Sequence, residues 1–576
     1  MNNIITGCLL AMLCFSFPCQ AQDIPLDPAV KTGKLSNGFS YYIRKNNEPA
    51  KRVQLYLVNN VGSILEDDDQ QGLAHFLEHM NFNGTKHFPK NELVDYLQKA
   101  GIRFGADLNA HTGTDETVYQ LPISTDDPDM LKQGLLIMRD WAQEATLDPK
   151  EIEKERGIVM EEGRLAKGSK DRMMRKYMPM MVNGARYAHR FPIGLDSILL
   201  HFKPSVIKRF HQDWYRPNLQ ALIVVGDVDA EQVEKMIRSS FSTLKMPAKP
   251  RERISYPVPL TGKQQFLAVT DLELSGTTLE VLFKRKASAL KTEPDYLAMM
   301  RRSLLNSLLA SRRSVEISRQ NNPAYSNMSV SIQPLMGGLE MFVFEVNAKE
   351  GQLQKAFEQS WAYLEKMRKS GFTQKELEQA KQVYLRSFET ALKEKDKTPS
   401  VNFVTEYQNL YLHQQAAPGI EWEHGFVKRN LPAIGLAELN SLLAAYLKDT
   451  DRDILILAPE KDRQQLPDEA AVKSWMAAIR KSEQQPFAEE NVTAELLPVK
   501  PVPGKVLQRK LIPEIGATEL TLSNGVKVIL KPTDFKNDQI LFKGFSPGGT
   551  SLYDDADYDN AANAAALVSR FGLGNF

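Results

Sequence analysis

Gln71-Gly-Leu-Ala-His-Phe-Leu-Glu-His-Met80 is the stretch from which the rest of the chain can be read. At about 100° per residue, Leu73, Phe76, Leu77 and Met80 fall on one arc of a helix and His75, Glu78 and His79 on the opposite arc. The spacing therefore predicts an amphipathic helix with a polar face of ligand-forming side chains. His75 and His79 stand one turn apart, so both imidazoles can reach a single metal ion, and Glu78 lies beside that ion without having to bind it. From there its carboxylate can take a proton from a water held at the ion. With nine histidines in the chain, a His-x-x-Glu-His string arises by chance on the order of 0.01 times in such a sequence. The bland alternative is a solvated helix face carrying two incidental histidines.

A metal site of this kind needs a third protein ligand from elsewhere. Asp148-Pro149-Lys-Glu151 announces a second helix, with Asp148 as N-cap, Pro149 at the first helical position and Glu151 completing a capping-box-like pattern. Ile152, Ile158 and Val159 define its apolar arc. Glu155 and Glu162 fall inside that arc, whereas Glu161 points away. Two carboxylates on a core-facing arc demand cationic partners, because a buried unpaired charge is costly. Those partners are either a metal ion or Arg and Lys side chains of a neighbouring helix.

The chain has 576 residues, enough for roughly three to five domains. Lys plus Arg number 72 against 71 Asp plus Glu, which leaves no field to hold nucleic acid or an anionic membrane. Residues 1–21 contain no Asp, Glu, Lys or Arg, and their apolar run is short for a bilayer span, so they read as a signal peptide cut before Gln22. Phe17-Pro18 before Cys19 argues against lipoprotein anchoring. Cys8, Cys14 and Cys19 all lie in this segment, so the mature chain would have no disulfide or thiolate site. No other apolar run reaches about 18 residues. A mature chain without stable membrane insertion, in the periplasm, is expected.

Self-similarity organises the rest. Leu35-Ser-Asn-Gly38 recurs as Leu522-Ser-Asn-Gly525, each followed 24 residues later by a Gly-Ser or Gly-Thr pair, Gly62-Ser63 and Gly549-Thr550. Both copies predict a strand, an Asn-Gly turn and a second strand. The segment from Asp148 to Arg156 is echoed 225 residues later from Thr373 to Lys381, each copy preceded by a Trp-bearing helix, Trp141 and Trp361. These offsets place a first domain at 22–255, a second at 256–488, a proline-rich linker at 489–514 and the start of a third domain at 515–576. The last is too short for a core of the size its siblings use, which reads as truncation. Carrying the offsets across puts Ala562, Ala565 and Ala566 opposite His75, Glu78 and His79, and Ala380 and Ser387 opposite Glu155 and Glu162. Only the first domain retains the chemistry.

These residues resemble the pitrilysin/insulinase family of inverted zinc metallopeptidases, whose His-x-x-Glu-His order reverses the better-known His-Glu-x-x-His helix. The resemblance covers nearly the whole mature chain. It implies an α+β fold of repeated mitochondrial-processing-peptidase-like domains, each a mostly antiparallel sheet packed with helices. It further implies Zn2+ bound by His75, His79 and Glu162, with Glu78 as general base and Glu155 supporting the site without touching the ion. Asn109-Ala110-His111-Thr112 is similar to the family's edge strand, so Asn109 and Ala110 would bind an extended peptide through the backbone. His111 fits no ligand spacing and reads as an ordinary strand histidine. The expected function is zinc-dependent endopeptidase activity on peptides or unfolded polypeptides. The alternative is a non-catalytic peptide-binding or scaffold protein of the same fold. Complete members resemble two halves closing on a peptide, so a missing C-terminal half would complete the substrate chamber.

Overall fold

The computed structural model describes residues 22–571 except 91, 100, 102–108, 321, 484–486, 488–496 and 498. The expected signal segment, 1–21, and part of the expected linker lie outside the described residues. The chain up to Phe388, together with Pro399–Ser482, forms one compact unit; Glu389–Thr398 and the chain from Glu483 onward form a second.

The first unit contains two sheets of related design. One is built from β1 (Val30–Lys34), β2 (Ser40–Lys45), β3 (Arg52–Asn59), β4 (Asn109–Thr112), β5 (Thr117–Ser124) and β6 (Gln220–Gly226), in the order β1-β2-β6-β3-β5-β4. The other contains β7 (Gln264–Asp271), β8 (Thr277–Lys286), β9 (Tyr325–Leu335), β10 (Leu339–Ala348) and β11 (Arg452–Pro459), in the order β7-β11-β8-β10-β9. Each has one parallel pairing, β2 with β6 and β7 with β11, and is otherwise antiparallel. Setting β1 aside, the two orders correspond strand for strand. The α+β fold of repeated, mostly antiparallel sheets expected from the sequence is what forms. The Trp-bearing helices also match: Pro128–Gln143 precedes Pro149–Ala166, and Leu353–Ser370 precedes Gln374–Lys393.

β6 is buried at every residue, Gln220-Ala-Leu-Ile-Val-Val-Gly226, because both faces of its sheet are covered, so it reads as an unbroken apolar run rather than an alternating one. On one face Leu222 and Val224 join the large core around Phe39, Trp141 and Phe210. On the other, Ile223 and Val225 pack with Tyr56, Val58 and Val118 under Val404 and Tyr407 of the helix Ser400–His413. The reciprocal cover exists as well: Met173 and Met180, from the helix Ser169–Met181, pack on Val269 and Leu455 of the second sheet. Each repeat thus lends a helix to the outer face of the other's sheet. A fully buried ion pair, Lys284 Nζ to Asp453 Oδ2 at 2.6 Å, pins this exchange. Its ammonium also donates to the carbonyls of Met180 and Met181 at 3.2 Å and to Asn183 Oδ1 at 2.7 Å. A buried charge is tolerated when its donors are used in this way.

In the second unit, β12 (Val506–Ile512), β13 (Ala517–Leu522) and β14 (Lys527–Leu530) form a three-stranded sheet, and a helix spans Tyr558–Phe571. Both Asn-Gly turns form as expected: Gly38 and Gly525 adopt φ of 93° and 84°, a region where other residues are strained. Among the described residues, no helix is long and apolar enough to cross a membrane.

Candidate metal and active site

The helix Leu73–Met80 is anchored at three places. Leu73, Phe76, Leu77 and Met80 are fully buried, as the apolar arc requires. At its N-terminus Gly72 takes φ of 103°, and Glu66, itself buried, accepts from the amides of Gly72 at 3.0 Å and Ala74 at 2.8 Å. These are amides that a helix start leaves without partners. A side chain at Gly194 would meet Gly72 Cα at 2.4 Å, so backbone packs on backbone here. At the C-terminus Trp141 Nε1 donates to Asn81 O at 2.9 Å, and Asn81 Nδ2 donates to Tyr119 Oη at 2.7 Å.

The second helix starts as expected, with Asp148 accepting from the Lys150 amide at 2.7 Å and Pro149 in the first turn. Glu151 pairs with Lys154 rather than closing a capping box. The helix brings Glu162 to the histidines: Oε1 lies 3.6 Å from His75 Nε2 and Oε2 lies 3.3 Å from His79 Nε2. Glu155, two turns earlier on the same helix, receives His79 Nδ1 at 2.7 Å and Asn83 Nδ2 at 2.5 Å. Glu161 is turned to Arg164 on the outside.

One expectation about this helix needs correction, and one alternative for the first helix falls away. Ile158 is 57% exposed and the Glu162 side chain 49% exposed, so the arc read as core-facing divides: Ile152 and Val159 enter the core, while Ile158 and Glu162 face a cavity. The helix lies along a cleft edge, which a wheel cannot distinguish from a core. The polar arc of the first helix is likewise not solvated. Glu78 is buried, and His75 and His79 are mostly so.

The cavity has a volume of about 890 Å³, and its walls include His75, Glu78, His79, Asn109, Ala110 and Glu162. Tetrahedral zinc with bonds of about 2.0–2.1 Å sets its donor atoms roughly 3.3–3.4 Å apart. The 3.3 Å contact of Glu162 to His79 Nε2 has that spacing, the 3.6 Å contact to His75 Nε2 is slightly longer, and donor atoms of the three residues all lie within 4.8 Å of one another. Two imidazoles and one carboxylate are a donor set suited to zinc. Burial, reinforced by His79, pushes His75 down to about 4, leaving its ring neutral at pH 7. Burial also acts against charge on His79, but the hydrogen bond and charge of Glu155 outweigh it and raise its pKa. Glu78 is raised by burial, against the opposing hydrogen bond from Thr112 Oγ1 at 2.6 Å. A carboxylate so raised is a stronger base.

Among the described residues, β4 is the outermost strand of its sheet, paired only with β5. Asn109 and Ala110 line the cavity from it, and the Ala110 amide is taken up by Asn109 Oδ1 at 2.9 Å. His111 also lines the cavity but is not in the metal cluster. Sequence reasoning passed over Glu66, Asn83 and the lining residues Met174, Phe191 and Ile193. Asn83 had a local signal, four residues beyond His79 on the same face; Glu66 had none.

Residues 41–187, which contain every one of the candidate ligands and both supporting glutamates, match the family described as insulinase (peptidase family M16). The chain belongs to the insulinase family. Residues 201–384, including Ala380, match the peptidase M16 inactive domain. A zinc protease PQQL-like protein of Arabidopsis thaliana is 31% identical over 94% of this chain and 54% of its own length. The probable zinc protease PqqL of Escherichia coli K12 is 28% identical over 96% of this chain and 59% of its own. The crystal structure of the periplasmic protease PqqL from Escherichia coli aligns with a TM-score of 0.75 and 25% identity, covering 96% of this chain and 61% of that one. The chain therefore spans a little over half the length of these insulinase-family relatives.

Proposed function

We propose that this chain is a zinc-dependent endopeptidase acting on peptides or unfolded polypeptides, with His75, His79 and Glu162 as ligands. The observation that carries the reading is the convergence of those three side chains on one point of a large cavity, with the Glu78 carboxylate beside them. Zinc, when bound, supplies Lewis-acid polarisation of water and of a peptide carbonyl. The chain's own residues do the remainder. Glu78 accepts a proton from water at Oε1 or Oε2 and returns it to the leaving amine, and Thr112 holds its carboxylate in place. Glu155 holds His79 in the tautomer that presents Nε2 to the ion. The open edge of β4, at Asn109 and Ala110, takes an extended peptide by strand addition, so recognition at that edge runs through the backbone. The names of the relatives support protease chemistry. The cysteine-free mature chain, the expected signal peptide and a relative described as periplasmic support action in the periplasm.

The test is incubation of the chain with a random peptide library, with and without a chelator, beside Glu78→Gln. Cleavage should stop with chelator and fall about 10²–10⁴-fold in the variant, the contribution of a positioned general base. Cleavage at an equal rate in Glu78→Gln would overturn the assignment, and no chelator-sensitive cleavage at all would favour a peptide-binding role.

A further inference from the structure

A second cavity, of about 620 Å³, lies beside the N-terminal end of the metal helix and shares Phe191 as a wall with the first. Three arginines, Arg175, Arg186 and Arg190, line it together with one carboxylate, Asp68. Their partners leave positive charge uncompensated. Arg186 donates only to backbone carbonyls, those of Ile64 and Glu66, and among the described residues no carboxylate pairs with it. Arg175 gives Nε to Asp171 Oδ2 at 2.9 Å and lies 4.7 Å above the Phe191 ring, but its Nη2 has no hydrogen-bond partner among the described residues. Arg190 holds the carbonyls of Glu66 and His189, and its one carboxylate, Asp68, is 94% exposed. The Glu66 carboxyl is within electrostatic reach, yet it is turned to the amides of Gly72 and Ala74, and burial raises it to about 8, so it is mostly protonated at neutral pH. Three guanidinium groups facing one wall carboxylate give the cavity a net positive charge, which suits an anionic group such as a carboxylate.

The two cavities are neighbours. Asp171, which pairs with Arg175, lines the metal cavity, and Phe191 separates the two spaces. We infer that the arginine-lined cavity is a carboxylate-binding subsite that takes an acidic group of a peptide lying in the metal cavity. The inference rests on the peptidase reading above and extends it to substrate class. The group is either an Asp or Glu side chain or a terminal carboxylate, since both present the same two oxygens.

Binding to the Glu78→Gln chain, which should hold peptide without cutting it, tests this separately from catalysis. Fluorescent peptides with a single Glu, with Gln in its place, and with a free or amidated C-terminus are titrated at low salt by anisotropy. The acidic or free-ended peptide should bind about tenfold more tightly than its neutral counterpart, a preference that salt weakens. A preference tied to Glu against Gln identifies a side-chain carboxylate, and one tied to amidation identifies the terminus. Arg175→Gln and Arg186→Gln should each abolish the preference while leaving the affinity for the neutral peptide unchanged. That last readout separates lost recognition from lost folding; if Arg186→Gln lowers it, Arg175→Gln and the salt dependence decide. Equal affinities for acidic and neutral peptides, or a preference surviving both arginine variants, would overturn the inference. So would displacement of neither peptide class by inorganic phosphate, which competes for any site that grips an oxyanion. Failure of the wild-type chain to cleave would instead count against the peptidase reading and leave the binding result standing.

Discussion

Glu155 Oε1 lies 2.7 Å from Nδ1 of His79, and this hydrogen bond decides which nitrogen of the ring is left for a metal. With the proton on Nδ1, the Nε2 lone pair faces Glu162, 3.3 Å away. Partners of this kind orient a ligand and raise its basicity, and their loss typically costs 10–100-fold in metal affinity. Glu155→Ala should therefore weaken zinc binding by about that factor while leaving one site per chain. Competition against a chromogenic chelator measures it, and an unchanged affinity would show that Glu155 is not the orienting group.

Glu66 predicts a pH effect on folding. Burial raises its carboxyl from the ordinary 4.5 to about 8, so the folded chain keeps a proton that the unfolded chain releases. The penalty is absent below about pH 4.5 and grows toward pH 8, at no more than roughly 1.4 kcal/mol per pH unit. Glu66→Gln cannot ionise and can still accept from Gly72 and Ala74 through its amide oxygen. Its stability relative to the parent should thus improve between pH 5 and pH 8 in urea unfolding. A difference that stays constant across that range would contradict a buried, protonated Glu66.

Much of the site was legible because its signals are local. The His75 to His79 spacing is a property of one helix turn, and the N-cap Asp148 with Pro149 marks a helix start whatever the tertiary context. Repetition pointed to repeated domains, since two Asn-Gly turns and two Trp-bearing helices could be matched by offset alone. What stayed hidden leaves no such signal. Glu66 is close in sequence to its partners Gly72 and Ala74 but lies outside any helical or strand period that would mark it. Glu162 was expected in a core because a helical wheel registers which arc is apolar but not whether a core or a cleft lies against it. The helix Ser400–His413 covering Ile223 and Val225 was likewise invisible, because an exchange of helices between repeats leaves each helix's own pattern unchanged.

The second unit predicts a proteolysis pattern. Among its exposed apolar residues are Val502 at 93%, Ile540 at 94% and Phe542 at 95%, and no helix or strand lies between Leu530 and Thr550. Exposed segments without secondary structure are the preferred sites of nicking. Trypsin should cut first at Lys505, Lys536 and Lys543, leaving a fragment that ends near the start of β12 and keeps its zinc. Mass spectrometry of the digest would detect it, and survival of these sites as long as those in the first unit would contradict the expectation.

The central claim is that Glu162 completes a zinc site with His75 and His79, and zinc content of the purified chain tests it most directly. The parent and Glu161→Gln should each carry about one zinc per chain, as a single three-ligand site requires, because Glu161 is occupied with Arg164 on the outer face. Under the same dialysis, Glu162→Gln, His75→Ala and His79→Ala should come out empty. Zinc retained by Glu162→Gln at the parental level, or lost from Glu161→Gln instead, would contradict the account.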